Sequence, residues 1–303
     1  MRRTLVLIAL VSLAISSFAQ EKKMLTPMDA AYQNRSIYPV GKNVNWLTGT
    51  DKYVFTENNN IMVQDVNAKD AKVLLTLDQI NSYLNVAGID SVKRIPNLTW
   101  LDANRAYYYS FNKNTNNVDL NILNIKAKNI KKVAEVPANA ENHTITTPSL
   151  KVAYTIDNNL YYADGEKQVQ VTDNAAHVIA GQSVHRNEFA IDGGIFWSPD
   201  GSKLAYYSMD ESIVSVYPLV DITTRVAEAK PIKYPMAGMT SHEVTLKIYD
   251  TENGEEIVVK TEGPADQYLT SITWNPNNEM IYIGVLNRGQ DRKSTRLNSS
   301  HAT

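Results

Sequence analysis

The chain has 303 residues, a net charge of −2, 43 % hydrophobic residues and no cysteine. That length holds one large or two ordinary domains, and the near-neutral charge leaves no global basic field for nucleic acid. The missing cysteine excludes disulfides, thiolate metal sites, a cysteine nucleophile and a lipid anchor on an N-terminal cysteine.

Residues 1–19 read as a cleavable export signal. Arg2 and Arg3 form the positive start, an apolar run extends from Thr4 to Ile15, and Ser17-Phe18-Ala19 is a small-x-small cleavage site before Gln20. The run falls short of the ~20 residues that span a bilayer, and no later stretch could cross one. The mature protein is therefore expected to be exported, to the periplasm or to the surface or outside of a bacterium. Residues 20–42 form a lead-in with no repeat signal. At the other end, residues 291–303 break from the strand-like Met280–Leu286 into a polar, basic tail. Asp291–His301 reads as one frame of a sequencing adapter. The tail is expected to stand outside the fold, and the natural frame to continue past Gln290.

Between these ends, residues 43–290 repeat. The clearest unit is Phe196-Trp-Ser-Pro-Asp-Gly-Ser-Lys-Leu-Ala-Tyr-Tyr207, followed by Ile272-Thr-Trp-Asn-Pro-Asn-Asn-Glu-Met-Ile-Tyr-Ile283. Weaker copies start at Val44, Leu98 and Ile145. In each, a strand ends on an aromatic residue, a Pro/Asp/Asn/Gly turn follows, and a second strand alternates aliphatic and aromatic side chains. With 17 tyrosines against 5 phenylalanines, the composition also favours strands and turns. Trp46, Trp100, Thr146, Trp197 and Trp274 mark the units at intervals of 46–54 residues until the last, which widens to 77. Four short antiparallel strands per unit of this size make propeller blades, with the tryptophans packed between sheets. The fold is expected to be all-β, with four blades nearly complete, a fifth begun and an insertion in the fourth. A β-sandwich is the alternative, but it would not require the turn to recur. Asp78–Asn85 is expected to form a short helix between strands.

Chemistry is sparse. There is no Gly-x-Ser-x-Gly elbow, and Gly181-Gln-Ser-Val-His185 lacks the second glycine. No zinc-protease helix, calcium loop or phosphate loop occurs. The histidines are scattered, so neither a metal site nor a cofactor is expected. The unusual stretch is Ala180–Gly194, where His185, Arg186, Asn187 and Glu188 stand beside Phe189 and the run ends in a glycine pair.

That stretch carries a resemblance. Val184-His-Arg-Asn-Glu-Phe-Ala-Ile191, Phe196-Trp-Ser-Pro-Asp-Gly201, Leu204-Ala-Tyr-Tyr-Ser-Met-Asp-Glu211, Tyr217-Pro-Leu-Val-Asp221, Lys233–Gly238 and Val244–Tyr249 resemble, in order, the propeller of dipeptidyl peptidase IV. The closer likeness is to the bacterial dipeptidyl and prolyl tripeptidyl peptidases of the prolyl oligopeptidase clan. The resemblance implies an eight-bladed propeller, of which four to five blades are present, and a following α/β-hydrolase domain with the catalytic Ser, Asp and His, which is missing here. It implies a serine exopeptidase that releases N-terminal di- or tripeptides after proline, from peptide substrates with a free N-terminus, as a homodimer when full length. It places Glu188 as the carboxylate that binds the substrate ammonium, a compact cation with three donors that a partly buried carboxylate suits. Arg186 and Asn187 would line the same pocket. Asn187 stands where the mammalian enzymes carry another Glu, which leaves one carboxylate of two. No Arg near Glu135-Val-Pro137 matches the family's carbonyl-holding arginine. A non-enzymatic peptide- or protein-binding propeller is the alternative function, and a relative without the catalytic serine a third.

Overall fold

A computed structural model describes residues 24, 26–32, 41–147, 149–290 and 292–298. The proposed export signal lies outside the described residues. The chain divides into two units, Met1–Val44 and Asn45–Thr303. In the first, helix α1 (Pro27–Ala31) is started by a capping box. Thr26 Oγ1 accepts the Asp29 amide and Asp29 Oδ2 accepts the Thr26 amide, each at 3.1 Å.

The second unit is a succession of antiparallel sheets. The first blade runs β1 (Asn45–Trp46), β2 (Lys52–Glu57), β3 (Asn60–Asp65) and β4 (Lys72–Thr76) in sequence order. Asn58 and Asn59 both take positive φ between β2 and β3, the backbone that a tight hairpin needs and that Asn tolerates. Helix α2 (Leu77–Val86) follows, capped by Thr76 and Gln79, and buries Ile80 and Leu84. It extends the expected helix by a residue at each end. The second blade holds β5 (Thr99–Trp100), β6 (Arg105–Asn112), β7 (Asn117–Asn124) and β8 (Asn129–Pro137). The third holds β9 (Glu141–Ile145), β10 (Val152–Ile156), β11 (Asn159–Asp164) and β12 (Lys167–Gln170).

The fourth blade departs from the four-strand plan. Its first strand is split into β13 (Val178–Ala180) and β14 (Ile195–Trp197), which pair with opposite ends of β15 (Lys203–Asp210). The sheet continues with β18 (Glu243–Asp250) and β19 (Glu256–Val258). The expected insertion is the separate hairpin β16 (Val216–Asp221) and β17 (Glu228–Lys233), which accounts for the wide last interval. β20 (Tyr268–Trp274) and β21 (Met280–Leu286) begin a fifth sheet. The backbone of β22 (Arg292–Asn298) pairs with β21, so the tail expected outside the fold occupies a sheet edge. That pairing uses backbone groups and is indifferent to side-chain identity.

Each core cluster lies between consecutive sheets. Leu120 and Val136 of the second blade pack with Val152 and Tyr154 of the third. Leu160 and Tyr162 of the third meet Leu204 and Tyr206 of the fourth. The other face of β15 carries Ala205 and Tyr207 to Leu269, Ile281 and Ile283 of the fifth. Because side chains alternate along a strand, β15 feeds two cores at once and is buried on both faces. The marker tryptophans tie the first strands together. Trp197 Nε1 donates to the Thr144 carbonyl and Trp274 Nε1 to the Phe196 carbonyl, both at 3.0 Å. Trp46 is the exception to the expected burial. It is 61 % exposed and meets Tyr53 of its own sheet edge-on.

Candidate functional site

The split in the first strand of the fourth blade positions the candidate site. Residues 181–194 leave the sheet after β13 and return at β14. Tyr207 closes their neck: its carbonyl accepts the Gly181 amide at 2.9 Å, and its own amide donates to the Gly194 carbonyl at 3.0 Å. Both glycines are needed there. Gly181 has φ +71°, and a Cβ would lie 3.0 Å from Leu160 and Thr155. A Cβ on Gly194 would sit 2.1 Å from the Gln182 carbonyl oxygen, well inside contact distance. Gly194→Ala is therefore expected to destabilise the protein by at least ~2 kcal/mol in denaturant unfolding. Gly193→Ala, whose Cβ would meet nothing within 4 Å, should stay within ~0.5 kcal/mol. Equal effects of the two would remove the neck from the account.

At the tip, His185–Ala190 forms a 3₁₀ turn. His185, Asn187, Phe189 and Ala190 have φ of +51°, +62°, +54° and +58°. A left-handed backbone costs a non-glycine residue about 1–2 kcal/mol, so this conformation persists only if its surroundings hold it. They do so at three places. The Ser183 hydroxyl lies 2.8 Å from Asn187 Oδ1 and 2.6 Å from the Ile191 carbonyl. Thr270 Oγ1 of β20 donates to the Phe189 carbonyl at 2.8 Å, and the Phe189 ring lies 4.8 Å from that of Tyr268. His185 Nδ1 stands 3.0 Å from His242 Nε2, with its ring 4.6 Å from Tyr268.

The three candidate residues fare differently. Glu188 is exposed, not partly buried as expected, and its carboxylate has no partner among the described residues. Asn187 is exposed at its surface but spends its Oδ1 on Ser183. The side chain of Arg186 lies outside the described residues. Ser183 and His185 do not form a nucleophile–base pair, because the serine hydroxyl faces Asn187 and Ile191 and His185 faces His242.

The structure corrects the view of the histidines as scattered. His185 and His242, 57 residues apart, are both buried and in contact. Burial, reinforced by the nearby charges of His242 and Arg288, lowers the His185 pKa from 6.5 to about 3. Arg288 lies 4.6 Å over the Tyr268 ring, donates to its hydroxyl and reaches Asp266 at 3.5 Å. Beside the pair is a cavity of about 270 Å³ lined by Ser183, His185, Glu211, Lys233 and His242. A second, of about 560 Å³, is lined by Met236, Met239, Glu243, Asp266 and Arg288. His242, Tyr268, Thr270 and Arg288 carried no sequence signal, since only the fold brings them to the turn. Among the described residues no three His, Asp or Glu side chains gather as a metal site would require.

Comparison with known proteins gives one consistent outcome. Residues 98–303 match the family model described as the dipeptidyl peptidase IV (DPP IV) N-terminal region. A candidate dipeptidyl-aminopeptidase B of Pyrenophora tritici-repentis is 29 % identical over 193 residues, 54 % of this chain and 22 % of the relative. That of Phaeosphaeria nodorum is 31 % identical over 161 residues, 46 % of this chain and 18 % of the relative. The chain thus spans about a fifth of the length of these curated relatives. A crystal structure of a candidate dipeptidyl aminopeptidase IV from Bacteroides ovatus superposes with a TM-score of 0.72 at 33 % identity, covering 86 % of this chain and 36 % of that one. Porphyromonas gingivalis dipeptidyl peptidase 4 also gives 0.72, at 20 % identity over 93 % of this chain and 41 % of that one, a likeness of fold alone.

Proposed function

Because the chain belongs to the dipeptidyl peptidase IV N-terminal-region family, we propose that it is the substrate-gating and N-terminus-anchoring propeller of an exported serine exopeptidase that releases N-terminal di- or tripeptides after proline. The observation that carries this reading is the exposed Glu188 carboxylate, held on a strained turn that projects from a split strand. A carboxylate only accepts, and a substrate ammonium only donates, so the two are complementary. An anchor at fixed distance from a nucleophile admits a set number of residues between them, which makes a peptidase an exopeptidase. Acyl transfer itself would use a serine, histidine and aspartate of a hydrolase domain. Proline preference and the choice between two and three released residues rest on family likeness.

The test uses the exported product of the full gene, whose N-terminus should be Gln20. Dipeptidyl and tripeptidyl nitroanilides ending in proline are offered with free and with acetylated N-termini. Release from one free substrate, and at least a hundredfold less from its acetylated form, is the expected result. Equal cleavage of both forms would discard the anchor, and cleavage of neither would favour a non-enzymatic binding propeller.

A further inference from the structure

Glu188 sits on a turn whose backbone is left-handed at four non-glycine positions, three of them within two residues of the carboxylate. Of those four, His185 and Asn187 are residue types that tolerate the left-handed region, whereas Phe189 and Ala190 prefer right-handed or extended backbone. Ser183 within the loop holds Asn187 and Ile191, and contacts from other strands hold the rest. Tyr268 and Thr270 on β20 hold Phe189, the residue after the carboxylate. A further contact holds the first residue of the turn, whose ring also lies 4.6 Å from Tyr268. His185 Nδ1 meets His242 Nε2 at 3.0 Å, both rings are buried, and His242 stands at the entry to β18, beyond the inserted hairpin.

We infer that His185 and His242 are positioning residues: a buried imidazole pair that clasps the 185–190 turn to the start of β18 and so fixes where Glu188 is presented. The functional part of this inference rests on the reading of Glu188 as the substrate anchor. The pair needs one ring nitrogen protonated and the facing one bare, a single N–H···N bond. It lies in a mixed field, with Arg288 and Tyr268 on one side and Glu211 and Lys233 around the adjoining cavity. His185 Nε2 is buried without a hydrogen-bond partner among the described residues, so the contact to His242 is the polar bond that ring makes. Its removal takes the polar bond from the entry end of the turn, leaving there the Tyr268 ring contact and the Ser183 bonds, while Phe189 stays docked.

The test compares His242→Phe, which keeps a planar ring without nitrogen, with His242→Gln, whose amide falls near the Nε2 position. Both are made in the full gene product. In His242→Phe, amide hydrogens of residues 187–191 should exchange at least tenfold faster, and KM for a free-N-terminus substrate should rise about tenfold with kcat within twofold. His242→Gln should restore most of both. Unchanged exchange in His242→Phe, or a Gln variant as impaired as the Phe variant, would overturn the clasp. Faster exchange in His242→Phe beside a Glu188→Gln enzyme of unaltered KM would sustain the clasp and sink the anchor instead, which keeps the two readings separable.

Discussion

Glu188→Gln should lower kcat/KM for free-N-terminus substrates of the full gene product by between about tenfold and about 150-fold. The substitution keeps size and one acceptor oxygen and removes the charge. A hydrogen bond to a charged group is worth about 1.5–3 kcal/mol, and each ~1.4 kcal/mol is a factor of ten. The loss should be large because this site offers one carboxylate: Asn187, the neighbour that could have shared the ammonium, turns its Oδ1 to Ser183. The fold should not register the change. Glu188 is exposed and its side chain has no partner among the described residues, so unfolding free energy should move by less than ~0.5 kcal/mol. Acetylated substrates, which bring no cation, should be cleaved equally poorly by both forms. An unaltered kcat/KM for free N-termini would remove Glu188 from the site.

The parts of this architecture that repeat were legible, and the parts that occur once were not. Trp197 and Trp274 stand at matching places because each indole donates to the first strand of the preceding blade, a constraint that the fourth and fifth sheets share and that shows in the sequence as a repeat. The wide interval before Trp274 announced an insertion, and the hairpin Val216–Lys233 fills it. Trp46 broke the rule because its sheet has no preceding one among the described residues. The split of the first strand in the fourth blade has no counterpart among the other described sheets, so no period could reveal it. Its traces were Gly181 and Gly194, visible as glycines but not as the two sides of one neck. The polar chemistry of the Glu188 turn was visible locally, whereas its supports come from residues 242, 268, 270 and 288, at separations that no local pattern encodes.

Acidification should weaken the fold through His185. Its folded-state pKa is about 3 against an ordinary value of 6.5. Between those values the unfolded chain binds a proton that the folded chain refuses, so stability is complete above about pH 6.5 and declines as pH falls towards 3. Each unit of that window is worth up to ~1.4 kcal/mol, so at pH 4.5 the loss from this group approaches about 3 kcal/mol. The cause is geometric: the ring is buried against Tyr268 and His242 with the Arg288 cation nearby, and both burial and those like charges oppose a second positive charge there. Carboxylates such as Glu135 and Asp200, held below their ordinary pKa by hydrogen-bond donors, also lose stabilising interactions as pH falls, though at lower pH. A non-titrating variant therefore isolates the histidine. His185→Asn is the suitable choice, since Asn tolerates the φ of +51° at this position and its amide falls near the Nδ1 that faces His242. Denaturant unfolding of both proteins at pH 7 and pH 4.5 should show the variant losing at least ~2 kcal/mol less than the parent across that interval. Parallel losses would mean that His185 accepts its proton in the folded state, and that the pocket around the turn is wetter or less cationic than its packing indicates.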